Sequence, residues 1–169
     1  MRTVGGAGAR LTRPARTNNL RGSFIFTHRR PGAAPGMPSP DLCSEQDVER
    51  LVHAFYARVR EDETLGPIFA AHVVDWDHHL EKMVDFWSST LRGTARYRGT
   101  PMQAHAVLPG LSPGLFHRWL LLFDETTHSL DNPALRERAN TLAVRIAQSL
   151  WLGYQSRHDR SRIAAPLSR

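Results

Sequence analysis

Apolar residues recur at three- and four-residue steps in four long stretches of the chain, and no stretch sustains a two-residue alternation. The first stretch follows Ser44, where Val48, Leu51, Val52, Phe55 and Val59 form one stripe with Tyr56 on its edge. Ser44 and Asp47 stand at capping-box spacing ahead of it. Asp62 to Thr64 closes this helix, Leu65-Gly66-Pro67 reads as a turn, and Ile68-Phe69 dips back toward the core. The second stretch opens on Asp75 as N-cap, and Trp76, His79, Leu80, Met83, Phe86, Trp87 and Leu91 share its stripe up to a stop near Gly93. Residues 93–99 read as an exposed loop. Thr100-Pro101 then opens a short helix, Ser112-Pro113 a helix to about Ser129, and Asn132-Pro133 a last helix to about Tyr154, each with proline at its first position. Leu135, Ala139, Leu142, Ile146 and Ser149 share one face of that last helix. The pattern predicts an all-α domain over residues 41–155, with four substantial helices and one or two short ones, followed by a polar tail over 156–169.

Charge separates the chain into two parts. Residues 1–40 hold seven arginines and no acidic residue, in a Gly-, Pro- and Ala-rich setting without helical period. They are expected to form a disordered tail. Their composition is also that of an organellar transit peptide, and Met37 offers an alternative start directly before the domain. The remainder carries a net charge of −1, so the pI near 10.6 belongs to the tail, and no nucleic-acid partner is expected for the domain. The lone cysteine, Cys43, excludes an internal disulfide and a Cys-based metal cluster, and fits a reducing, cytoplasmic setting. No run approaches the ~18 apolar residues that would span a bilayer.

The candidate chemistry lies in two histidines, His79 and His105, set 26 residues apart. His79 falls on the apolar face of the second long helix. His105 lies on the short segment between Thr100-Pro101 and Pro109-Gly110, which restricts its direction. One histidine on an apolar face is usually a part-buried boundary residue. Two imidazoles reaching one apolar space from different elements suit a flat, apolar, iron-bearing ligand. Haem iron commonly takes one neutral, oriented imidazole as its proximal ligand, and His105 has the better setting for that role. His53, His72, His78, His117, His128 and His158 lack it and read as surface or boundary residues. Tyr56, Trp119 and Met83 read either as core fillers or as walls of a ligand pocket. In the second case the Tyr hydroxyl and the indole N–H would donate to a bound oxygen atom.

The anchors Phe55-Tyr56, Leu65-Gly66-Pro67-Ile68-Phe69, Trp76 with His79, Phe86-Trp87, Tyr97-x-Gly99-x-Pro101 with His105, and Phe116-x-x-Trp119-Leu120-x-Leu122-Phe123 together resemble a group III truncated haemoglobin over residues 44–154. The resemblance implies a shortened globin fold, two antiparallel helix pairs crossed around haem b. It implies His105 as the iron ligand and Tyr56, His79 and Trp119 as the distal pocket, with Met83 as the apolar residue one turn past His79. Phe69 would stack against the haem, and Phe86 and Trp87 match the aromatic pair of the group. Lys82, one turn from His79, is either an ordinary exposed lysine or the partner of a haem propionate. Arg96 and Arg98 are further candidates for that role. The first 40 residues have no counterpart in the family.

The implied function is binding of O2 and other diatomic gases such as NO and CO, with polar donors slowing release. Two alternatives belong to other classes. One is a haem redox enzyme, peroxidase-like or NO-oxidising, served by an unidentified reductase or electron donor. The other is a haem-free helical interaction module whose basic tail binds nucleic acid or anionic lipid.

Overall fold

The computed structural model describes residues 37–158 and 164–167. The expected tail thus falls almost wholly outside the described residues, of which the exposed Met37 is the first. The tail's last residues are fastened to the domain, because the Ser39 N–H donates to the Leu91 carbonyl at 2.9 Å. Six helices follow among the described residues: α1 (Glu45–Glu61), α2 (Gly66–His72), α3 (Trp76–Arg92), α4 (Pro101–Ala106), α5 (Pro113–His128) and α6 (Pro133–His158).

The helix starts follow local chemistry. At α1 both bonds of the capping box form: the Asp47 N–H donates to Ser44 Oγ at 3.1 Å and the Ser44 N–H donates to Asp47 Oδ2 at 2.8 Å. At α3 Asp75 Oδ1 accepts the His78 N–H, and at α6 Asn132 Oδ1 accepts the Leu135 N–H. Gly93 ends α3 in the left-handed region at φ 77°. Thr100 and Ser112 precede their prolines as expected but make no side-chain cap bond, and the Thr100 hydroxyl turns instead to Gln103 Oε1.

The turn expected at Leu65-Gly66-Pro67 is instead the start of α2. Asp62 causes this. Its carboxylate accepts the N–H groups of Thr64 and Leu65 at 3.1 and 2.8 Å, and its carbonyl accepts the Gly66 N–H, so the chain leaves α1 already wound. Pro67 fits in the first turn, where its missing N–H would have had no helical partner. A Cβ at Gly66 would stand 2.8 Å from the Arg60 carbonyl oxygen, so the two helices meet this closely only through glycine.

α1 packs along α3 and against α5, α5 along α6, and α4 against α6. Both long pairs are antiparallel. Glu45 at the start of α1 bonds Ser88 and Arg92 near the end of α3, while Thr127 late in α5 bonds Asn140 early in α6. Phe55, Phe123, Leu51, Leu91 and Leu135 are fully buried where the pairs cross. The buried face of α6 differs from the expected one: it runs through Leu135, Ala139, Ala143, Ala147 and Leu150. Leu142 and Ile146 flank it and Ser149 is exposed, because three alanines at four-residue spacing let α6 approach its neighbours closely. α6 also continues to His158, past the expected end at Tyr154, and residues 164–167 return onto it. No helix among the described residues is long and apolar enough to cross a membrane.

Candidate functional site

A cavity of about 380 Å³ opens between the two helix pairs, with α4 on one side. Eight of the residues singled out in the sequence line it: Tyr56, Phe69, His79, Lys82, Met83, Phe86, His105 and Trp119. Arg98 is exposed and is not among them. Arg96 is held away by Glu45 and Asp85, each at 2.9 Å.

His105 is set by its own helix. Its Nδ1 lies 2.8 Å from the Pro101 carbonyl oxygen. A carbonyl only accepts, so Nδ1 carries the proton and Nε2 keeps its lone pair. Burial holds the imidazole below its ordinary titration range, and the Pro101 bond offsets part of that effect. The ring is therefore neutral near pH 7, with one nitrogen satisfied and the other free to act as a donor atom toward a metal.

His79 faces the same cavity from α3. Its Nε2 is buried without a hydrogen-bond partner among the described residues, an arrangement that costs stability unless a ligand supplies the partner. Burial first, then the charge of Lys82, lowers its pKa. The Tyr56 ring stands edge-on to it with centroids 5.0 Å apart, and Phe69 and Trp76 complete the aromatic enclosure at 6.4 and 5.7 Å from His79. Tyr56 is 5% exposed, and burial pushes its phenol well above the usual range, so it stays an O–H donor. Trp119 stacks on Phe123 at 5.3 Å and meets Phe55 edge to face, which fixes its indole plane at the cavity wall.

Other residues of the site had been given no role in it: Tyr97, Gly99 and Phe116 stood in the sequence only as anchors of the resemblance, and His72 as a surface residue. Tyr97 lines the cavity from the 93–99 stretch, its ring 5.1 Å from Phe86 and edge-on to it. Gly99 makes this possible, since a Cβ there would overlap the Tyr97 phenol. His72, read as a surface residue, is exposed at the rim yet contributes to the lining, with Nδ1 on the Ile68 carbonyl. Leu111, Leu115, Phe116, Ile146, Ala147 and Leu150 add apolar lining to the same cavity. Phe116 was an anchor of the resemblance and Ile146 lay on the predicted face of the last helix, while the alanine spacing of α6 was the available signal for Ala147. The apolar lining, two neutral imidazoles and one cation at the edge fit haem.

The family model described as bacterial-like globin matches residues 41–149. The chain is 30% identical over 119 residues to the group 3 truncated hemoglobin ctb of Campylobacter jejuni, an alignment covering 66% of this chain and 94% of that protein. It also superposes on the crystal structure of a group III truncated hemoglobin from Campylobacter jejuni with a TM-score of 0.63 and 27% identity, covering 75% of this chain and 100% of the other.

Proposed function

The chain belongs to the bacterial-like globin family, a family of haem-binding proteins, and on that premise we propose that it holds haem b between His79 and His105 and binds O2 and other diatomic gases on the His79 side. Haem, when bound, would supply an iron able to take a small gas. His105 would hold the iron through Nε2, already oriented by the Pro101 carbonyl. Lys82 would neutralise a propionate at the rim, while Phe69, Met83 and Phe86 supply apolar wall.

The remaining residues act on the gas. The Tyr56 hydroxyl and the Trp119 indole N–H would donate at a largely apolar cavity, where a hydrogen bond to a partly charged oxygen is stronger than in bulk solvent. Such donors retain O2, which favours ligand chemistry or scavenging over delivery. The reading is carried by one observation: a neutral His105 with its Nδ1 satisfied lines the same cavity as a His79 whose Nε2 is buried without a partner.

The test is the visible spectrum of the purified protein, reduced and under CO, for wild type and His105→Ala. The expected outcome is a haem spectrum that shifts on CO addition in the wild type and is lost, or restored only by added imidazole, in the variant. An unchanged spectrum and haem affinity in His105→Ala would assign the iron to another residue.

A further inference from the structure

We infer that His158 is a positioning residue for His105: from the last turn of α6 it holds the C-terminal end of α4, and so sets how His105 enters the cavity. The inference rests on the reading of His105 as the iron ligand.

α4 has six residues and no side-chain cap, too short to persist as a helix without neighbours. The bond from His105 to the Pro101 carbonyl fixes the ring relative to α4. It does not fix α4 relative to the cavity. That is done from α6. His158 Nε2 lies 2.9 Å from the Ala106 carbonyl oxygen, and since a carbonyl only accepts, the imidazole N–H donates. Ala106 directly follows His105, and its carbonyl is among the last of α4, which have no acceptor role inside the helix. A directional bond on that atom restrains the tilt of the turn that carries His105.

Packing on the same side agrees. Gly153 of α6 faces Met102 of α4, and a Cβ at 153 would overlap the Met102 terminal methyl, so the absent side chain lets the helices lie close. The end of Met102 is flexible, so this contact brings α4 near α6 without directing it. The His158 ring is itself held: it stacks on Tyr154 at 4.3 Å, and Tyr154 stacks on Trp151 at 5.8 Å. Residues 164–167 brace these last turns. The Gln155 side chain donates to the Ala165 carbonyl at 2.8 Å and accepts its N–H at 3.1 Å, and the Leu167 N–H donates to Gln148 Oε1 at 2.9 Å. Without such contacts the end of a helix frays. Every residue of this brace beyond Gln148 lies outside the stretch 41–149 that matches the family model.

The experiment compares His158→Ala, His158→Gln and His105→Ala in the full haem-loaded chain. It reads the iron–imidazole stretching band of the ferrous protein and the rate of haem transfer to an apoglobin acceptor, with the melting temperature of the haem-free protein recorded beside them. For His158→Ala the expected result is a shifted or broadened band and haem loss faster by about tenfold, the effect typical of removing an outer partner of a metal ligand. Glutamine keeps an N–H donor at similar reach, so His158→Gln should restore most of both. An unchanged band in His158→Ala overturns the inference, even if its melting temperature falls, because that pattern belongs to a purely structural contact. A His105→Ala variant with an unaltered band would remove the ligand reading itself, and is thereby distinguishable.

Discussion

Tyr56 and His79 meet edge to face, their ring centroids 5.0 Å apart and their planes at 88°, although one stands on α1 and the other on α3. Tyr56 and His79, whose Nε2 is buried without a hydrogen-bond partner among the described residues, therefore line the same cavity from two helices. Phe55 stands against both Tyr56 and Trp119, with ring centroids 5.0 and 5.3 Å away, and so links the two side chains through one fully buried ring.

Tyr56→Phe and Trp119→Phe should each speed O2 release and change CO release much less, since O2 is the more polar ligand. A lost hydrogen bond worth ~1 to 3 kcal/mol predicts release faster by about 5- to 150-fold per donor. The two effects should not add, because both donors would share one acceptor in one apolar cavity. Stopped-flow displacement on both single variants and the double checks this. Wild-type O2 release in both singles would leave His79 as sole donor, or none.

Lys82 tests the rim. If its ammonium meets a propionate, haem transfer to an acceptor protein should be slowest in wild type, faster in Lys82→Ala and fastest in Lys82→Glu. The spread should narrow as salt is raised, because a pair at the cavity edge is screened. Identical transfer rates for the three proteins would return Lys82 to the ordinary surface.

Ala147 is 1% exposed and lines the same cavity as His105. Ala147→Phe should place a ring in the haem volume or strain the α5–α6 contact, at ~1 to 3 kcal/mol for overpacking. The expected outcome is a protein with near-native helical circular dichroism and a much reduced ratio of haem to protein absorbance. Full haem occupancy would mean the wall yields at this point.

Asp62 predicts an acid limb of stability. The hydrogen bond from Arg118, then the N–H groups of Leu65 and Thr64, hold its carboxyl below the ordinary range against the opposing effect of burial. The unfolded chain, with a carboxyl near ~3.9, thus takes up the proton first as pH falls. Its contribution is full above that value and is lost as pH drops through the folded value. Melting curves of wild type and Asp62→Asn should differ most near pH 7 and draw together as the pH falls below the ordinary carboxyl value of ~3.9. A gap independent of pH would show that the carboxylate's charge contributes nothing there.

The helices and their starts were legible because those signals are local. A side-chain acceptor before an apolar stripe, or glycine after one, acts within a single turn, and Ser44, Asp75, Gly93 and Asn132 behave as their positions predict. The pairing of His79 with His105 was legible for a related reason: each lies on a stripe or short helix that must bury one side. The family assignment, which rested on anchors spread across the chain, agrees with the family model and the superposition.

What only the tertiary structure decided are the relations between elements. Tyr56 stood on the edge of its own stripe, and Phe69 of α2 with Trp76 and His79 of α3 cover it. α6 turns its alanines inward because helices approach closest over small side chains, which left Leu142 and Ile146 on the flank. Arg96 and Arg98 were equivalent in the sequence, and the acidic residues Glu45 and Asp85, distant along the chain, take up Arg96. His158 read as a boundary residue because nothing near it in the chain suggests a partner, and the carbonyl it holds lies 52 residues earlier. Composition, periodicity and capping thus determined which helices this chain makes, while the faces they turn to the cavity follow from packing between residues too far apart in sequence for any local pattern to record.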